Sequence, residues 1–214
     1  MTRQPKIPGH EDAPEASSRM HSGRWVNLYD PSPLDIELAD WVRGCSRVDR
    51  WGGQSIPEHG WNDLCHMMLV ERILVNRVWP KAPREARLWA LMHDLHEGGG
   101  LGDIATPYGR VLKAAGLDEL KRRLDRALRL AAGLSASPDA ETVAMIKRAD
   151  QIAAVSEGVR LAGWPEAVAR TRIGRGYDGP LWRGALMPLD QAQARLAWTK
   201  RFLLLGGKGL AMPA

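Results

Sequence analysis

Apolar residues recur at helical spacing through six stretches of this chain, at 35–45, 61–79, 83–97, 117–133, 139–162 and 189–205. Nowhere do they alternate over a length that would make a useful strand. Local punctuation agrees: Pro80 closes the second stretch, Pro83 opens the third near its first turn, and three glycines from Gly98 close that one. The expectation is an all-α helical bundle. With 214 residues, the chain has material for one well-buried core. Residues 1–20, rich in Pro, Glu and Ser, are expected as a flexible tail, 21–35 as an irregular N-terminal segment, 21–205 as a single domain and 206–214 as a C-terminal tail.

Nine Trp against one Phe and three Tyr mean that tryptophan must supply most of the large aromatic surface. No apolar run reaches the ~20 residues that cross a bilayer, and the first twenty residues lack the apolar region of a secretion signal. Cys45 and Cys65 fit no metal-finger or disulfide spacing. A cytoplasmic protein with reduced thiols is expected, with no membrane partner. The net charge of +5 favours an acidic partner. Basic clusters at 121–126 and 170–175 lack interleaved aromatic residues, so they read as solvated helix faces rather than a nucleic-acid surface. A small polyphosphate would be drawn by the same field.

The stretch HDLHEGGGLGD, residues 93–103, carries the chemistry. As a phosphate-binding loop it would need a strand before the glycines and a helix N-terminus after them, but here a helix precedes them. As a zinc-protease motif it would need HExxH, and Glu97 is followed by glycines. A metal site survives. On a continuous helix His93 and Glu97 share a face with Asp94 one step round, so a metal on His93 and Asp94 would leave Glu97 near a bound water. Asp103 could return from the loop.

Partners come from two other predicted helices. Val143, Ile146, Asp150, Ala153 and Glu157 form one stripe, and it is the stripe expected to face the core. Two carboxylates there are costly unless something pairs with them. His66 shares a face with Leu69 and Ile73. One inward histidine is more often a satisfied core residue than a ligand; four such groups on three helices favour a metal.

His66, then His93-Asp94, then Asp150 resembles the H…HD…D signature of the HD-domain metal-dependent phosphohydrolases. HDLHEGGGLGDIATP and KRAD (147–150) resemble segments of the bacterial 5′-deoxynucleotidases and the phage dATP triphosphohydrolases. HSGRWVNLYDP and VDRWGGQS resemble segments of small phage-type members, and the likeness runs from about residue 21 to 162. It implies an HD-type helical bundle.

The resemblance further implies that His66, His93, Asp94 and Asp150 bind one divalent metal, with Zn²⁺, Mn²⁺, Co²⁺ and Ni²⁺ all compatible with the ligand set. A second Mg²⁺ or Mn²⁺ could accompany the substrate. Glu97 and Asp103 match acidic residues that orient and deprotonate the attacking water. Arg50 and Trp51 match a pair that contacts phosphate and nucleoside, Thr106 and Pro107 match residues of a loop that closes over the substrate, and Arg110 lies just beyond. The chain departs from the pattern at Leu95 and His96, where small residues are usual, and in a loop before Asp103 that is one residue longer. Surface exposure is the expectation for His96, help with a second ion the alternative.

The implied activity is metal-dependent hydrolysis of a (deoxy)nucleotide, either a dNTP triphosphohydrolase of the dATP kind or a dNMP 5′-nucleotidase, in a homo-oligomer. Hydrolysis of a signalling nucleotide, or a catalytically silent nucleic-acid-binding module, are the alternatives.

Overall fold

The structure is a computed structural model that describes residues 6–7, 10–14 and 16–212, with side chains described for 16–105 and 108–212. The other residues of the expected N-terminal tail lie outside it. Eight α-helices run through the described residues: α1 (Leu38–Cys45), α2 (Asp63–Ile73), α3 (Arg84–Met92), α4 (Thr106–Leu112), α5 (Leu117–Ala131), α6 (Ala140–Arg160), α7 (Glu166–Arg172) and α8 (Gln191–Leu204). The fold is mostly α-helical, as the periodicity predicts. The additions are short: β1 (Lys6–Ile7) pairs antiparallel with β2 (His10–Pro14), and β3 (Ser17–Arg19) with β4 (Trp25–Asn27). Strands of two to five residues are too brief to show as alternation.

Helix α2 lies at the centre. It is buried almost all round, with Leu64, Met67, Leu69, Val70 and Ile73 in the core, and it packs against α6, α3 and α8. Its start is fixed by Asn62, whose side chain accepts from Cys65 N–H and donates to Leu189 O, tying the helix to the segment before α8. Beyond Ile73 the helix widens into a π-turn over Leu74–Val78, and Trp79 N–H closes back on Leu74 O at 2.6 Å. Pro80 prevents continuation. The tryptophans carry much of the core: Trp41, Trp61, Trp89 and Trp198 are buried, and Trp198 stacks on Phe202 at 5.1 Å. Glu71, buried on α2, is held by Arg87 of α3 at 2.7 Å and Arg201 of α8 at 2.9 Å. The segment after α8 returns to α5, where Lys208 N–H donates to Ala132 O.

The third predicted helix is two pieces. It stops at Met92; Asp94 leaves helical space at φ −113°, ψ 14°, and a 3-10 segment spans Leu95–Gly99. The cause is the neighbouring helix. Gly44 of α1 and Gly98 cross so closely that a Cβ on Gly44 would stand 1.8 Å from Gly98 O. A Cβ on Gly98 would stand 2.2 Å from Trp41 O. Gly44 and Gly98 thus admit α1 against the 3-10 segment, while Gly100, at φ 101°, and Gly102, at φ 74°, serve the turn itself.

Candidate functional site

Three helices and the break after α3 bring His66, His93, Asp94 and Asp150 together. His66 Nε2 lies 3.1 Å from Asp150 Oδ1 and 3.6 Å from Asp94 Oδ2. His93 Nε2 lies 3.2 Å from Asp94 Oδ2 and 3.9 Å from Asp150 Oδ1. The two rings stand 5.2 Å apart. His66 is fully buried at the inner end and the Asp150 side chain is 38 % exposed at the outer end, so the cluster opens to solvent on the α6 side.

The remaining ring nitrogens are fixed. His66 Nδ1–H donates to Glu157 Oε1 at 2.7 Å, and His93 Nδ1–H donates to Ala90 O at 2.8 Å. Both Nε2 atoms are buried with no protein group fixing them as firmly, although Asp150 Oδ1 and Asp94 Oδ2 stand close by. This is the arrangement that orients histidine as a metal ligand: one nitrogen held by a carboxylate or carbonyl, the other bare among carboxylates. His66, His93 and Asp150 can each present a ligand atom, all within 4.8 Å of one another. The residues fit a divalent ion.

Charge is concentrated here. Burial and Arg50 oppose a proton on His66, but Glu157 and Asp150 outweigh them and lift its pKa to about 10. Burial likewise opposes a proton on His93, and Asp94 outweighs it, so that pKa is raised too. Burial would raise Asp94, yet His93, His66 and Arg50 hold it well below the usual carboxylate range. Without a metal the histidines are therefore the counter-charge for the carboxylates.

Glu97 is buried on the 3-10 segment rather than one α-turn beyond His93. Burial and the neighbouring Asp94 push its carboxyl up to about 7, against the pull of Arg50, His96 and Lys121. Lys121 Nζ lies 3.2 Å from Glu97 Oε1, while Oε2 has no hydrogen-bond partner. The basic cluster at 121–126 is thus not wholly a solvated face. Asp103 does not point at the histidines in any described contact; its Oδ2 accepts from Trp51 N–H at 3.1 Å.

Arg50 stands beside the cluster, with Nη1 3.6 Å from Asp94 and 3.9 Å from Asp63, and Nε 3.3 Å from Glu157. Burial works against its charge, and Glu157, Asp103, Asp94 and Asp63 more than offset that. Trp51 is held at φ 64°, left-handed space that a bulky residue rarely adopts, and its ring lies 6.1 Å from that of Trp164. Gly52 and Gly53 also have positive φ, and a Cβ on either would meet nothing within 4 Å. Upstream, Ser22 Oγ donates to Asp40 Oδ2 at 2.6 Å, so that segment braces α1. The backbone of Thr106 and Pro107 opens α4 instead of continuing a loop, and their side chains lie outside the described residues. Arg110 is exposed on α4, with no described contact to the cluster.

Two expectations need correction. Val143, placed on the core-facing stripe, is 48 % exposed, because the buried face at this end of α6 runs through Thr142, Ile146 and Ala149, a step round the helix from it. His96, expected at the surface, is 4 % exposed, because the break at Asp94 turns the following side chains inward, and its Nδ1–H donates to Asp125 Oδ1 at 2.9 Å.

Sequence reasoning missed Asp63, which is fully buried with neither oxygen hydrogen-bonded. Burial and Glu97 push its pKa up to about 9, against the pull of Arg50. At the first turn of a helix it looks like an ordinary dipole-stabilising acid. Lys121 and Asp125 lie in an amphipathic basic run and gave no signal either.

Fold and cluster together define a mostly α-helical protein whose buried His, Asp and Glu side chains could hold a metal ion. No described helix is long and apolar enough to cross a membrane. No protein-family profile matches the chain. It is 38 % identical over 194 residues to an uncharacterized protein of Rhodobacter capsulatus, covering 89 % of this chain and 95 % of the relative. The chain belongs to the same family as that protein.

Proposed function

We propose that this protein is a divalent-metal-dependent phosphohydrolase of (deoxy)nucleotides, of the HD-domain kind. The carrying observation is the pair of buried imidazoles whose Nδ1 atoms are held by Glu157 and Ala90 while both Nε2 atoms face Asp94 and Asp150 without a hydrogen-bond partner. The nucleotide rests on the H…HD…D resemblance and on the net charge of +5, which favours an anionic substrate.

His66, His93, Asp94 and Asp150 would hold the ion, with Zn²⁺, Mn²⁺, Co²⁺ or Ni²⁺ suited to two imidazoles and two carboxylates. Bound there, such an ion supplies Lewis acidity, bringing the pKa of a water from ~15.7 towards ~7 and polarising a phosphoryl oxygen. Glu97, buried and with its pKa near neutrality at about 7, is suited to take the water's proton and return it to the leaving oxygen. Arg50 holds a fixed positive charge beside the cluster, where phosphoryl oxygens would gather. Asp103 fixes the backbone of Trp51 and so sets where Arg50 begins.

The test is a panel of deoxynucleoside mono- and triphosphates, assayed after chelation and after return of single metals, on wild type and Asp150→Ala with metal content measured. Phosphate or triphosphate release that needs metal, and is lost with the metal in Asp150→Ala, is expected. Full metal content and normal turnover in that variant would overturn the reading. Salt-sensitive oligonucleotide binding with no hydrolysis would replace it.

A further inference from the structure

Next to the first cluster stands a second set of donors. Asp94, His96 and Glu97 each present a ligand atom, all within 4.8 Å of one another. The His96 side chain is 5 % exposed and that of Glu97 4 %. Asp125 Oδ1 of α5 accepts from His96 Nδ1–H at 2.9 Å, while Nε2 lies 3.9 Å from Glu97 Oε1 with no hydrogen-bond partner. Glu97 Oε2 is also buried without one. A carboxylate behind one ring nitrogen, with the other nitrogen buried and without a hydrogen-bond partner, repeats the pairing of Glu157 with His66. Buried polar atoms are seldom left bare without a partner to come.

We propose that Asp94, His96 and Glu97 form a second divalent-cation site that shares the Asp94 carboxylate with the first. The inference rests on the metal-dependent reading of the His66–His93 cluster. One imidazole with two carboxylates is a harder donor set than two imidazoles with two carboxylates, so the second site suits an oxygen-preferring ion such as Mn²⁺. The cations facing it are Lys121 and Arg50, whose Nη1 lies 3.6 Å from Asp94 Oδ2 and keeps its charge beside the shared carboxylate. Lys121 Nζ, 3.2 Å from Glu97 Oε1, supplies positive charge in the metal-free protein, and at 25 % exposure its side chain can withdraw to solvent when an ion enters. Asp125 is engaged by Arg129 at 3.3 Å as well as by His96, which steadies the outer carboxylate. Glu97 has one oxygen on the Lys121 side and one bare, so ligation and proton handling can draw on different atoms.

The experiment is titration of the metal-stripped full chain with Mn²⁺, counting bound ions and recording low-temperature electron paramagnetic resonance spectra. Wild type is expected to bind two ions per chain with the spectrum of an exchange-coupled pair. His96→Gln is expected to bind one, with an isolated-ion spectrum. Lys121→Met, which removes a competing cation from a mostly buried position, is expected to tighten the weaker ion by about tenfold, the effect of ~1.4 kcal/mol. One ion in wild type, lost in Asp150→Ala and unchanged in His96→Gln, would overturn the second site and leave the first reading intact. One ion lost in His96→Gln and retained in Asp150→Ala would overturn the first reading. Two coupled ions in His96→Gln would also overturn the second site.

Discussion

Gly44 and Gly98 meet backbone to backbone, with so little room that a Cβ on Gly44 would stand 1.8 Å from Gly98 O. That crossing is where α1 presses on the 3-10 segment that carries His96 and Glu97. Gly98→Ala should therefore cost about 3 kcal/mol, the upper range for overpacking a tight contact. For a chain of this length that is on the order of 6–12 °C in Tm. Because the segment must move, Glu97-dependent turnover should fall as well. A melting curve within a degree of wild type would show that the crossing tolerates a methyl group.

Glu157 acts on the cluster through His66. Glu157→Gln keeps the side chain's shape but removes the charge that stands behind the imidazole and the Arg50 guanidinium. Loss of such an outer partner typically weakens metal binding by ~10–100-fold. Competition with a chelator of known affinity measures it, with the far-ultraviolet spectrum as a check on folding. Unchanged affinity would mean that Ala90 and the carboxylates suffice to orient the ligands.

The contrast between His66 and His96 shows what the sequence could reveal. His66 lies on an uninterrupted helix, so its spacing from Leu69 and Ile73 gave its direction correctly; all three are buried. His96 lies beyond the break at Asp94, where helical spacing stops applying, and the break is dictated by α1, a contact remote in sequence. Glu157 was visible as an inward carboxylate, but its partner could be found only once α2 and α6 were packed together. Asp63 was hidden because an acid in a helix's first turn needs no explanation. Periodicity carried six of the eight described helices and most of their inward faces, Val143 excepted; the seven-residue α4 and α7 were too short to show, and the 3-10 segment, the short strands and the outer carboxylates depend on tertiary contacts that it does not encode.

Asp63 makes stability depend on pH. Its pKa stands at about 9 in the folded protein, while an unfolded aspartate loses its proton near pH ~4. Between these values the folded state holds the extra proton, so this group's contribution falls as pH rises. His66, raised to about 10, acts in the same direction: its stabilisation is complete below the unfolded value of ~6.5 and is lost as pH climbs through the folded one. Asp63→Asn removes only the first effect. The metal-free variant should melt above wild type at pH 8 and match it near pH 4. Parallel melting curves across that range would show that Asp63 is ionised in the folded chain.

Asp103 separates two roles that residue type alone leaves confounded. As a tether it needs only an oxygen to accept from Trp51 N–H, 3.1 Å away, which asparagine supplies. As a proton acceptor for water it needs a carboxylate. Asp103→Asn should keep turnover within about threefold of wild type, while Asp103→Ala should weaken substrate binding, seen in KM, by about tenfold as the Arg50–Trp51 segment loosens; that is the order of one ~1.4 kcal/mol hydrogen bond. Loss of kcat by ~100-fold in the asparagine variant would return Asp103 to the chemical step.

Metal uptake should release protons. Before binding, His66 carries one at neutral pH because Glu157 and Asp150 outweigh burial and Arg50, and a protonated imidazole offers no lone pair. An ion must displace that proton, so affinity should rise by about tenfold per pH unit per proton released between pH 6 and 8. Calorimetric titrations with Zn²⁺ at pH 7.5, in two buffers of different ionisation enthalpy, give the count from the difference in heats. At least one proton per first ion is expected, fewer in His66→Ala. Heats that do not vary with buffer would mean that the histidines are already neutral and that the carboxylates are balanced by Arg50 alone.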